Sequence, residues 1–182
     1  MVQKRDNLKL DIIELLVKKE NHVRGMAKKL NVSHSTILRR LNELVNIKVL
    51  DFRTEGKNKV FFIKKNINSK IYVLKSELNK LIKLITKYPE LSIIFEEILK
   101  KIDARLIVLF GSYAKETASK KSDIDIYIET NDRNIKNQVE SINSNINVKI
   151  GRFDKKSLLI REIIKDHVIL KGMEYFYEKQ FS

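Results

Sequence analysis

Apolar positions recur at helical spacing through the first third of the 182-residue chain. In LKLDIIELLVKK (8–19), Leu8, Ile12, Leu15 and Leu16 fall on one face, which predicts an amphipathic helix. HVRGMAKKL (22–30) predicts a short second helix with Val23, Met26, Ala27 and Leu30 inward. A turn follows, where Ser33 or Ser35 can accept a hydrogen bond from an orphan amide and so start a third helix. That helix, STILRRLNELVNI, turns Ile37, Leu38, Leu41 and Leu44 inward and leaves Ser35, Thr36, Arg39 and Arg40 outward. KVLDFRT and KVFFIKK, two β-rich runs around Glu55-Gly56-Lys57-Asn58, then predict a hairpin.

The pattern changes after residue 66. Ile71, Leu74, Leu78, Leu81, Ile82 and Ile85 share one face of a long helix over 68–88, which Pro89 ends before ELSIIFEEILKKI opens another. RLIVLF (105–110) is continuously apolar, as suits a strand buried on both faces. SDIDIYIE (122–129) alternates instead, and NINVKI (145–150) predicts a further strand. Tyr175, Phe176 and Tyr177 predict a last strand packed on the sheet. The expected division is therefore a domain over 1–66 and a helical connector plus an α/β domain with a mixed sheet over 67–182.

Composition narrows the chemistry. With no cysteine, a disulfide scaffold, a thiolate zinc site and a cysteine nucleophile are excluded; three scattered histidines cannot form an HExxH site. No run approaches a membrane span and MVQKRDNLKLD has no apolar leader core, so a cytoplasmic protein without membrane contact is expected. The formal charge is +14, and residues 1–65 hold 16 Lys and Arg against 7 Asp and Glu. Lysine-rich composition also accompanies adaptation to heat, so the placement of the charge matters more than its sum.

Three helices followed by a basic-tipped hairpin are the plan of a winged helix-turn-helix (α+β), and NVSHSTILRRLNELVNIKVL resembles the winged-helix domains of bacterial and archaeal transcription regulators. The expected partner is double-stranded DNA. Ser35, Thr36, Arg39 and Arg40 would face the major groove, and Arg53, Lys57 and Lys59 the neighbouring backbone. A winged helix used for protein contacts is the competing reading. The apolar stripe of 71–85 either packs on its own domains or pairs with its copy; two-fold DNA sites favour a homodimer.

The chemistry concentrates after Arg105. On a strand, Asp123 and Asp125 project to one side about 7 Å apart, while Ile124, Ile126 and Ile128 face the core. Two carboxylates held together repel unless a cation lies between them, and oxygen ligands suit Mg²⁺. Gly111 and Ser112 offer backbone amides, a hydroxyl and close approach to the phosphates of ATP or another nucleoside triphosphate.

Gly-Ser, ten residues, then Asp-x-Asp resembles the signature of the DNA polymerase β-like nucleotidyltransferases, and GSYAKETASKKSDIDIYIE is similar to the minimal members of archaea and bacteria. The resemblance implies that Gly111 and Ser112 hold a triphosphate while Asp123 and Asp125 bind metal for transfer of a nucleoside monophosphate. Two places depart from the pattern. Glu116 stands where the family usually has glycine, and the strand expected to bring a third carboxylate offers Asn147 or Lys149. Asp154 lies past that strand, and Glu129 is about 13 Å from Asp125 along its own. Without the third acid, the expectation is a DNA-binding transcriptional regulator whose second domain binds Mg-nucleotide and transfers weakly. The alternative is an active Mg²⁺-dependent enzyme, recruited by the winged helix, that adenylylates a protein or RNA target, as antitoxin-like relatives do to a toxin partner.

Overall fold

A computed structural model describes residues 2–119 and 121–181, with side chains from Asn7 onward. Met1–Asn79 and Lys80–Ser182 form two compact units.

In the first unit, α1 (Val2–Lys18) leads through the short β1 (Asn21–His22) to α2 (Val23–Leu30) and α3 (His34–Asn46). Local chemistry sets these boundaries. His22 Nδ1 accepts from the Gly25 amide to cap α2, and Asn31 ends it in a left-handed conformation. Ser33 caps α3, its Oγ accepting from the Thr36 amide at 3.3 Å. β2 (Leu50–Glu55) and β3 (Asn58–Ile63) form a hairpin closed by Gly56 and Lys57, and Gly56 has a φ of +59°. β1 pairs antiparallel on the other side of β3, giving the order β1-β3-β2. Ile12, Ile13, Met26, Ile37, Leu41, Leu44, Leu50 and Phe61 are buried together as its apolar interior.

α4 (Ile67–Lys87) carries the chain into the second unit, where α5 (Glu90–Lys101) follows Pro89. The sheet there has the order β6-β5-β4-β7, built from β4 (Ile107–Phe110), β5 (Ile124–Glu129), β6 (Ile146–Gly151) and β7 (Val168–Lys171). β5 and β6 run parallel and the other pairs antiparallel, so the sheet is mixed. Ile107, Leu109, Ile124, Ile126, Ile128 and Val148 face a core shared with Leu84, Leu91, Phe95 and Ile98. Leu106, Val108, Tyr127 and Ile169 face a second core with Phe153, Ile160, Ile163 and Phe176. Burial on both faces is why 106–110 reads as unbroken apolar sequence.

The remaining helices are α6 (Gly111–Ala114), α7 (Arg133–Glu140), α8 (Leu158–Lys165) and α9 (Met173–Phe181). α9 corrects one expectation: Tyr175, Phe176 and Tyr177 lie on a helix rather than a last strand. Only Phe176 is buried, at 1%, and its ring meets Phe153 edge-on at 5.4 Å. Alternation cannot be told from one turn of helix over three aromatic residues. Among the described residues, no helix is long and apolar enough to cross a membrane.

Candidate active site and nucleic-acid interface

At the end of β4, Phe110 pairs with Asp125 of the adjacent β5, and the chain turns at once into α6. Gly111 makes that turn with a φ of +72°. A Cβ on Gly111 would collide with the Asp125 carboxylate, chiefly with Oδ2. Glycine is thus required twice, for a left-handed backbone and for the carboxylate packed against its Cα. Ser112 follows, half-buried, its carbonyl accepting from the Thr117 amide at 3.0 Å.

Asp125 is half-buried on the other side by β6. Asn147 is its register partner, and Asn147 Nδ2 donates to Asp125 Oδ1 at 2.9 Å. Lys149 lies opposite Tyr127 instead and is exposed. Asp123 is exposed just ahead of β5, two residues before Asp125. The structure therefore gathers Gly111, Ser112, Asp125 and Asn147, with Asp123 at the strand's entry. Its oxygen ligands are the two carboxylates and the Ser112 hydroxyl, a type of ligand that suits a hard divalent cation such as Mg²⁺.

The other acids are committed elsewhere. Glu129 Oε1 accepts from the Phe153 amide at 3.1 Å and from the Tyr175 hydroxyl at 3.0 Å, joining β5 to α9. Asp154 Oδ1 accepts from the Lys156 amide in a surface turn. Glu116 takes a left-handed φ of +58°, the conformation that glycine supplies at least cost. Its carboxylate is exposed and 3.9 Å from Lys87 Nζ. Tyr113 is a packing residue, buried edge-on against Tyr88 at 5.0 Å, and burial raises its phenol above the usual tyrosine range.

In the first unit, Ser35 and Arg39 are exposed at the start and outer face of α3, and Thr36 is half-buried with its hydroxyl accepting from Ser33 Oγ at 2.8 Å. Arg40 overturns the expectation of an outward side chain: it is 8% exposed and grips Glu43 through Nη1 at 2.7 and 2.9 Å. It shares the inward stripe with Ile37, Leu41 and Leu44, and Arg40/Glu43 at i, i+3 was the readable signal. The Arg40 hydrogen bond, then that of Lys9, holds the Glu43 carboxyl below the usual carboxylate range.

Arg53 on β2 is held by Glu20 at 2.6 Å and Glu55 at 2.8 Å, so its charge is already countered. Lys57 is exposed at the hairpin tip, and exposed Lys59 stacks its ammonium 4.1 Å from the Phe52 ring centre. Ser35, Arg39, Lys57 and Lys59 remain as surface groups suited to a polyanion.

The second unit is a mixed-sheet α/β domain with a glycine-carboxylate contact at the end of its first strand, and its likeness to nucleotidyltransferases rests on sequence. Residues 93–174 match the family described as Polymerase beta, Nucleotidyltransferase. Over 77 residues, 41% of the chain, the sequence is 38% identical to a Methanocaldococcus jannaschii protein named as a protein adenylyltransferase. The match spans 62% of that relative's length. Among solved structures, a chain from a crystal structure of a toxin-antitoxin with AMP-PNP is 25% identical. It covers 56% of this chain and 82% of its own, with a TM-score of 0.34.

Gly111→Ala tests the contact that organises this site. Strain at a positive φ is expected to cost about 1–3 kcal/mol in urea denaturation. Displacement of Asp125 should weaken Mn²⁺ binding, followed by calorimetry, about tenfold or more.

Proposed function

We propose that the second domain is a Mg²⁺-dependent nucleotidyltransferase that moves AMP from ATP to a hydroxyl on a protein partner. The observation that carries this reading is the Asp125 carboxylate seated on the bare Cα of Gly111, inside the segment that matches the nucleotidyltransferase family. The protein acceptor is supported by the name of the Methanocaldococcus jannaschii relative. Ser112 and Gly111 would hold the phosphates, while Asp123 and Asp125 would hold the cation. When bound, the cation would neutralise charge on the phosphates and on the departing pyrophosphate. In the transfer, the acceptor oxygen bonds to the α-phosphorus, the bond to the β-phosphate oxygen breaks, and pyrophosphate and one proton are released.

The first 66 residues form, in this proposal, a winged helix that brings the enzyme to double-stranded DNA in the cytoplasm. Support comes from the exposed Ser35 and Arg39 on α3 and the basic hairpin tip at Lys57 and Lys59. A regulatory role in transcription follows if the bound DNA is an operator. The pairing surface for a homodimer is α4, where Ile67, Ile71, Leu78 and Ile82 are 67, 46, 49 and 57% exposed. Ile67, Ile71, Leu74 and Leu78 recur at intervals of four, three and four residues, the spacing of a helix-helix seam.

Three outcomes check the proposal. With ATP labelled at the α-phosphate, Mg²⁺ and cell extract, the chain should label a protein band, and Asp125→Asn should abolish the signal. Absence of label with Mg²⁺ and Mn²⁺ alike contradicts transfer. Arg39→Ala and Lys57→Ala should each weaken duplex binding and lower the salt slope by about 0.9 per lost phosphate contact, whereas Arg40→Ala should act on thermal stability. Light scattering should give twice the chain mass for wild type and a single chain mass for Ile71→Lys with Leu78→Lys; equal masses would remove the α4 seam.

A further inference from the structure

We infer that Asn147 restricts the carboxylate pair to one divalent cation, held from the Oδ2 side of Asp125. The inference rests on the nucleotide-site reading above and adds a role for a residue which that reading leaves idle. Asn147 and Asp125 are register partners on parallel strands, so the backbone fixes their separation. The amide must present nitrogen to the carboxylate, because an amide oxygen 2.9 Å from Oδ1 would set two acceptors against each other. Oδ1 is therefore fronted by N–H hydrogens. A second cation approaching there meets the positive end of an amide dipole rather than a ligand oxygen.

Oδ2 has the opposite surroundings. It lies against Gly111, in the space that a Cβ there would need, on the side of the Gly-Ser turn. The two oxygens of one carboxylate thus have separate tasks: Oδ1 is tied to β6 and orients the group, while Oδ2 is presented towards the Gly-Ser turn. Asn147 is a positioning residue in this account; it sets the orientation of Asp125 and the cation count without touching the reacting atoms.

Counting ions tests this. Full-length chain saturated with AMP-PNP is titrated with Mn²⁺, and bound metal is read by paramagnetic resonance. Wild type should hold one Mn²⁺ per chain and Asn147→Asp two. Without metal, the two facing carboxylates of Asn147→Asp should repel and lower its Tm. Its Tm should then climb more steeply with Mn²⁺ than that of wild type, a readout that remains even where the variant folds only with metal. Two ions in wild type, or one in the variant with a wild-type Tm response, overturns the inference and leaves the nucleotide site standing. No ion in either protein, with or without AMP-PNP, overturns the nucleotide site itself.

Discussion

The contact between the Gly111 Cα and the Asp125 carboxylate constrains the whole second unit. For it to form, β4 must end beside the start of β5, the backbone must turn left-handed at one residue, and that residue must lack a side chain. Each condition is met by a different level of structure. The antiparallel register pairs Phe110 with Asp125. The φ of +72° and the absent Cβ belong to glycine. The two apolar cores on either face of the sheet keep β4 and β5 from moving apart. The Asp125 carboxylate is thereby held at the rim of the sheet, half-exposed.

The same sheet explains why other acids do no such work. Glu129 is on the strand of Asp125, four residues along, yet it closes the structure by accepting from Phe153 and Tyr175. Asp125 is spared that fate because its neighbours are a glycine on one side and an amide donor on the other. One face of one strand thus carries a half-exposed rim carboxylate and a structural one, separated by Tyr127, whose hydroxyl donates to the Gly151 carbonyl at 2.9 Å.

Much of this was legible from residue order, for identifiable reasons. The unbroken apolar run at 106–110 follows directly from burial on two faces, while in 124–129 isoleucines face one core and Asp125 and Glu129 flank Tyr127 in the other. Gly111 and Ser112 were readable as a bend. That α6 begins at Gly111 itself, and that the carboxylate packs on its Cα, depends on cross-strand register that spacing does not encode. Asn147 and Lys149 could not be separated until the parallel pairing of β5 and β6 was seen. Arg40 was misread because its charge was weighed above its position on the apolar stripe. The aromatic triplet at 175–177 was misread because three residues are too few to show a period.

The central claim is that Gly111, Ser112, Asp123 and Asp125 form one pocket for a cation and a triphosphate. The most direct measurement is a crystal structure of the chain grown with AMP-PNP and Mn²⁺, with anomalous scattering used to place the metal. The account predicts a manganese peak on the Oδ2 side of Asp125 and phosphate density against Gly111 and Ser112. Nucleotide bound elsewhere, or a metal peak distant from both carboxylates, would contradict it.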